Sequence, residues 1–175
     1  VTQDEIPGGG QLSDIFDCCI EASKGDPVAT KFFQQAQKLM KGKIDVLRIS
    51  DHNTTGLVGA DTDDTKTPWH QLVKGRGSSN KNINSGGSFG IGKAAPLACS
   101  YFHTIFYASK VDDVDSYVGV SRLLSFEAKE SGFFGKEYTT TGTGFYSASD
   151  NMNAILKPFA MGSFRRKDNG TDIYI

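Results

Sequence analysis

The 175 residues are 38% hydrophobic, 22% charged and 11% aromatic, which is enough chain and apolar content for a single compact domain with its own core. With 19 basic against 20 acidic residues the formal net charge is -1, which excludes a global field drawing the chain to nucleic acid or to an acidic membrane. No apolar run approaches the roughly 20 residues of a membrane span, and "VTQDEIPGGGQ" lacks the basic and apolar blocks of a signal peptide, so the expected compartment is the cytoplasm.

Cys18, Cys19 and Cys99 agree with that compartment, being odd in number and free of any C-x-x-C; they are expected to be buried, reduced thiols that bind no metal. The glycosylation sequons at Asn53 and Asn169 carry no weight in a cytosolic chain.

In chain order, "QLSDIFDCCIEASKG" places Leu12, Ile15, Phe16, Cys19 and Ile20 on one helical face, closed by Gly25 and Pro27. A second helix is predicted from an Asp26 N-cap and Pro27, with Val28, Phe32, Ala36, Leu39 and Met40 as its buried stripe up to Gly42. The two helices should form an antiparallel hairpin over residues 11–41. "IDVLRIS" (44–50) is short and β-branched and is read as a buried strand.

From Asn53 to Gly87 the chain is rich in Thr, Asp, Ser, Gly and Asn, broken only by "TPWHQLV", where Pro68 starts a short helix carrying Trp69 and Leu72. Irregular connections of this length are lids, binding loops or linkers, and a glycine-rich lid is expected over 53–92. "GKAAPLACSYF" is read as helical, with Pro96 tolerated in the first turn, and "HTIFYAS", "SYVGVSRLLSF", "GTGFYSA" and "TDIYI" as strands. The fold class predicted is α+β: a two-layer sandwich with helices on one face of a mixed, mainly antiparallel sheet, as one domain over 1–175.

The chemistry centres on "GGSFGIGKAAPLACS" (86–100), for which several readings compete. As a P-loop it satisfies G-x-x-x-x-G-K over 87–93, but Ala94 stands where a magnesium-binding Ser or Thr is needed, and the polar "SSNKNINSG" replaces the strand that should run into the loop. As a dinucleotide fingerprint, Gly90, Gly92 and Ala95 fit weakly and lack the same strand. A ligand-free glycine turn is the plain alternative.

Two further elements bear on the choice. "RISDHNTTGL" ends a strand on Asp51 and turns through Asn53, Thr54, Thr55 and Gly56, and "NGTDIYI" opens the last strand with Gly170 and Thr171. Strand, Asp and Gly turn, long loop, glycine-opened helix and a final Gly-Thr strand together resemble the Bergerat-fold ATPases, the GHKL family of type II topoisomerase, heat-shock chaperone, sensor histidine kinase and mismatch-repair ATP-binding domains. The resemblance covers residues 44–175, is strongest in "GGSFGIGKAA", and is most similar to bacterial ATP-binding proteins of this superfamily that have no settled function.

The resemblance implies ATP and Mg2+ as ligands, a site at Asp51, Asn53, Gly56, Gly87, Gly90, Gly92, Lys93 and Thr171, and hydrolysis coupled to lid closure or homodimerisation. Asp51 would accept a hydrogen bond from the exocyclic amine of adenine, and Gly56 would let the backbone pass under the base. Gly87, Gly90 and Gly92 would bring amide N–H groups to the phosphates, Lys93 would add a charge, and Thr171 would supply a hydroxyl near the base.

Two departures stand against the family pattern. Its turn is D-x-G-x-G, whereas here Asn53 replaces the first glycine, which it can do because Asn tolerates left-handed backbone angles, and the second glycine, Gly56, is displaced by one residue. The family's upstream helix, with a water-activating Glu and a magnesium-binding Asn, has no counterpart here: Asp17 and Glu21 share a helix face and imitate the pair, but neither is Asn. The chain is therefore expected to lack the start of its domain, with the hairpin as an insertion. A nucleotide-dependent binding or scaffold module that does not hydrolyse ATP is the rival reading.

The remaining polar residues are read plainly. His52 is expected to face solvent beside the turn, and His70 and His103 are isolated. Arg165, Arg166 and Lys167 read as a solvated loop, and Lys74, Arg76 and Lys81 as lid residues able to close over phosphates.

Overall fold

The computed structural model of the chain describes residues 1–75, 94–128, 137–148 and 152–175. The protein is α+β: among these residues four α-helices accompany a mainly antiparallel five-stranded sheet and a separate two-stranded sheet. It divides into two compact units, each discontinuous in sequence: Val1–Val46 with Ser121–Gly144 and Ala160–Ser163, and Leu47–Val120 with Phe145–Phe159 and Phe164–Ile175.

In the first unit α1 (Gly9–Ala22) and α2 (Pro27–Met40) form the antiparallel hairpin. The Asp26 carboxylate caps α2 by accepting the N–H groups of Val28 at 2.9 Å and Ala29 at 3.1 Å, with Pro27 at the first helical position where no N–H is needed. The Thr30 hydroxyl closes the connection by donating to the Ser23 carbonyl at 2.6 Å.

The buried stripe of α2 keeps the predicted Ala36 and Met40, but Phe33 is buried in place of Phe32, and Val28 and Leu39 are exposed. Neighbouring Phe32 and Phe33 lie about 100° apart around a helix, and Phe33 shares its face with Gln37, four residues on, which donates to the Ser13 carbonyl at 3.2 Å and to Asp17 at 2.8 Å. On that face the Phe33 ring meets α1, 6.2 Å from the ring of Phe16. The unit also holds β4 (Glu127–Ala128) paired antiparallel with β5 (Tyr138–Thr139).

The five-stranded sheet runs in the order β1 (Arg48–Ser50), β7 (Gly170–Tyr174), β2 (Thr104–Val111), β3 (Val114–Arg122), β6 (Thr143–Tyr146). β7 is antiparallel to both its neighbours, with Ile173 opposite Ile49 on one side and Tyr107 on the other. Asp112, at φ +51°, turns the chain from β2 into β3.

In the second unit one apolar cluster gathers Ile105, Tyr107, Val118 and Val120 with Trp69 and Val73 of α3 (Pro68–Val73) and Leu97 of α4 (Ala95–Cys99). The alternate strand positions carry aromatic rings: Phe159 lies 5.5 Å from Phe106, 5.1 Å from Tyr117 and 4.5 Å from Tyr174, centroid to centroid. Pro68 opens α3 as the sequence predicts, Thr67 caps it by accepting the His70 N–H, and Pro96 sits in the first turn of α4.

The strand expected over 44–50 shrinks to three residues, and Ile49 is 48% exposed because β1 is the edge of the sheet. Of the cysteines, Cys19 is buried, Cys18 half-buried and Cys99 exposed at the end of α4. Burial pushes the Cys19 thiol up to about 11.

Candidate functional site

Asp51 is the first residue beyond β1, and the register that pairs Ser50 with Asp172 brings it opposite Thr171. Its N–H donates to the Thr171 carbonyl at 3.0 Å, and its carboxylate Oδ1 accepts the Thr171 N–H at 2.5 Å. The Thr54 hydroxyl donates to the same Oδ1 at 3.0 Å. Among the described residues both hydrogen bonds to this carboxylate arrive at Oδ1, and the residue is exposed. Thr171, expected to supply a hydroxyl near the base, meets Asp51 through its backbone N–H and carbonyl.

The turn after Asp51 behaves as its composition requires. Asn53 has φ +55°, a left-handed angle that Asn adopts more readily than most residues. Gly56 has φ +67°, and a Cβ there would stand 2.5 Å from the Lys110 carbonyl oxygen, so the turn lies directly against β2. Just beyond it, the buried Ser109 hydroxyl accepts the Leu57 N–H at 2.7 Å and donates to the Gly170 carbonyl at 3.1 Å. One side chain thus joins the turn to the start of β7.

Beneath this surface lies an ionic cluster. Asp172 is fully buried, and its carboxylate is bound by Arg48 at 3.1 Å, by Arg166 at 2.6 Å and by the Tyr174 hydroxyl at 3.1 Å. Burial alone would push this carboxyl up; the hydrogen bonds from Arg166 and Ser50 and the charges of Arg166 and Arg48 outweigh it and hold the group below its ordinary range. Burial, and then the Asp172 charge, push Tyr174 the other way, to about 12.

Arg166 was expected in a solvated basic loop, yet its side chain is only 5% exposed. Besides Asp172 it donates to the carbonyls of Asp51 at 2.7 Å, Thr171 at 2.9 Å and Asp168 at 3.1 Å. A run of basic residues does not reveal which member turns inward. The signal available was Asp172 itself, a charge inside the apolar "TDIYI", since a buried carboxylate requires cationic partners.

His52 is 54% exposed, as expected of a residue beside the turn, and its Nδ1 lies 2.7 Å from the Asp168 carboxylate. That hydrogen bond is the main reason the Asp168 carboxyl is held below its usual range. In the first unit Asp17 accepts from Gln37 and Glu21 pairs with Lys24 at 2.6 Å. Lys74, read as a lid cation, donates to Asn153 at 3.1 Å.

Of the candidate residues, Asp51, Asn53, Gly56 and Thr171 thus gather where β1 ends and β7 begins. Gly87, Gly90, Gly92 and Lys93 lie outside the described residues, as do Arg76 and Lys81. Among the described residues no group of three or more His, Cys, Asp or Glu side chains forms a candidate metal site, and no helix is long and apolar enough to cross a membrane.

No family model, curated protein or solved structure matches the chain.

Proposed function

We propose that the chain binds an adenine nucleotide at the β1–β7 edge and is the ATP-binding domain of a larger Bergerat-type ATPase. The observation that carries this reading is the Asp51 carboxylate, exposed at a strand end while the Thr171 N–H takes up its Oδ1 at 2.5 Å. A carboxylate anchored through one oxygen can offer the other to the exocyclic amine of adenine. Guanine presents a carbonyl at that position and is refused, because an acceptor would face an acceptor.

The left-handed angles at Asn53 and Gly56 support the reading by turning the chain away directly after the carboxylate and laying the turn against β2. The glycines at 87, 90 and 92 and Lys93 supply amide N–H groups and a charge for the phosphates in this reading, which rests there on sequence. The magnesium ion would arrive bound to the nucleotide's own phosphate oxygens. A second reading is a nucleotide-dependent binding module without hydrolysis, supported by the lack in this sequence of the water-activating Glu and magnesium-binding Asn of the family, which Asp17 and Glu21 only imitate.

The test is titration calorimetry with ATP, ADP and GTP in the presence of magnesium, on the wild type and on Asp51→Asn. Adenine nucleotides should bind in preference to GTP, and Asp51→Asn should lose most of that preference while keeping its far-UV circular dichroism. Equal affinities in the two proteins would remove Asp51 from base recognition, and absence of binding would refute the nucleotide reading.

A further inference from the structure

The last rung of the β1–β7 ladder is irregular. In an antiparallel pair, residues two apart along a strand repeat the same two-bond exchange with the residues opposite them. Leu47 and Ile175 make both bonds, at 3.0 and 2.9 Å, so in this register Asp51 and Thr171 should do the same. They make one of them. The Asp51 N–H donates to the Thr171 carbonyl, but the Thr171 N–H donates to the Asp51 carboxylate in place of the Asp51 carbonyl. The displaced carbonyl accepts from Arg166 Nη2 at 2.7 Å.

We infer that Arg166 is the positioning residue of this site: by occupying the Asp51 carbonyl it leaves the Thr171 N–H to the carboxylate, and so fixes the direction in which Asp51 faces a base. Two acceptors on Asp51 compete for one N–H, and a displaced carbonyl needs another donor. Arg166 is built to be that donor. Its Nε reaches Asp172 Oδ2 at 3.1 Å, and its Nη2 also reaches Asp172 Oδ1 at 2.6 Å and the Thr171 carbonyl at 2.9 Å. The planar fork is therefore held on a buried carboxylate while one arm stays beside the strand end. Gly170 leaves room for the arrangement, since a Cβ there would stand 2.6 Å from Arg166 Nη1. A lysine would keep a charge against Asp172, but a single ammonium group lacks the fork that serves both Asp172 oxygens and the Asp51 carbonyl together.

As an account of base choice this rests on the proposed adenine site, and the experiment separates the two. Arg166→Lys, Arg166→Met and, as a control, Arg165→Lys are compared with the wild type in the whole chain. The first readout is the amide proton shift of Thr171 without nucleotide, and the second is the ratio of ADP to GDP affinity. Arg166→Lys should move the Thr171 amide to a position typical of a carbonyl partner and reduce the ADP preference at least tenfold. Adding Asp51→Asn should reduce it no further, and Arg165→Lys should change neither readout.

An unmoved Thr171 amide with an unchanged preference in Arg166→Lys would overturn the inference. Unfolding of that variant, which retains a cation against Asp172, would do so too, by making Arg166 a purely structural residue. If Arg166→Met unfolds while the Lys variant folds, the Lys variant alone decides. If the wild type binds neither nucleotide, the adenine site fails on its own and the Thr171 shift still tells whether Arg166 directs the carboxylate.

Discussion

A Cβ added to Gly170 would stand 2.5 Å from Asp51 Oδ1 and 2.7 Å from the Asp51 carbonyl oxygen. Gly170 also holds φ +144°, which side chains rarely adopt. Gly170→Ala should therefore strain the backbone and push the Asp51 carboxylate off the Thr171 N–H. The expected loss is about 1–3 kcal/mol of stability, read by urea unfolding, with a fall in adenine-nucleotide affinity larger than that of a variant equally destabilised elsewhere. A variant as stable as the wild type would show that β7 can shift to accept the methyl group.

Ser109→Ala removes the hydroxyl that serves both the Leu57 N–H and the Gly170 carbonyl. Two polar backbone groups would lose one shared partner, at a cost of about 1–3 kcal/mol. Hydrogen exchange at the Leu57 amide should accelerate well beyond the global change. If only the global stability falls, the turn is held to β2 by other contacts.

Asp172→Ala should be the most damaging single change in the second unit. It leaves two guanidinium groups without their shared carboxylate, and breaking a buried pair from one side costs about 3–5 kcal/mol. Because the Asp172 carboxyl is held below its ordinary value in the folded state, its contribution is complete above the unfolded value and is lost as pH falls through the folded one. The wild type should thus lose stability steeply on acidification, and Asp172→Asn should flatten that slope in a series of urea unfolding curves.

The alkaline side follows the opposite sign. Cys19, raised from 9.0 to about 11, and Tyr174, raised from 10.0 to about 12, both keep their protons longer in the folded state. Their contribution is complete below pH 9 and is lost as pH rises through 11 and 12, up to about 2–3 kcal/mol for each group. Cys19→Ala should remove the earlier part of this decline. An unchanged profile in that variant would mean that the thiol titrates as an ordinary one.

Local signals were the legible part of this protein. Asp26 before Pro27, and Pro68 by itself, announced their helices because a cap and a fixed φ act within one turn. Asn53 announced a left-handed angle for the same local reason. What the sequence hid was decided at long range. Val28 matched the helical period and yet faces out, because the face of α2 that packs inward is the one carrying Phe33, Ala36 and Met40, and Val28 lies off it. Arg166 looked like Arg165 and Lys167, and it took an aspartate six residues on, packed from a strand, to draw it inside. The strand read over 44–50 contracted because the Ile44 backbone pairs with Val1, far from it in the chain, and not with β7.

The central position of β7 has a kinetic consequence. This strand separates β1 from β2, although it follows both in the chain, and its bond to Asp51 spans 120 residues. During synthesis the α1–α2 hairpin can close as soon as residue 40 is available, since its contacts are local. β1 and β2 must wait with open edges until residues 170–174 emerge and insert between them. The strand that completes the sheet also brings Thr171 to Asp51, so a chain interrupted before that point would display the turn and the carboxylate without the partner that orients them.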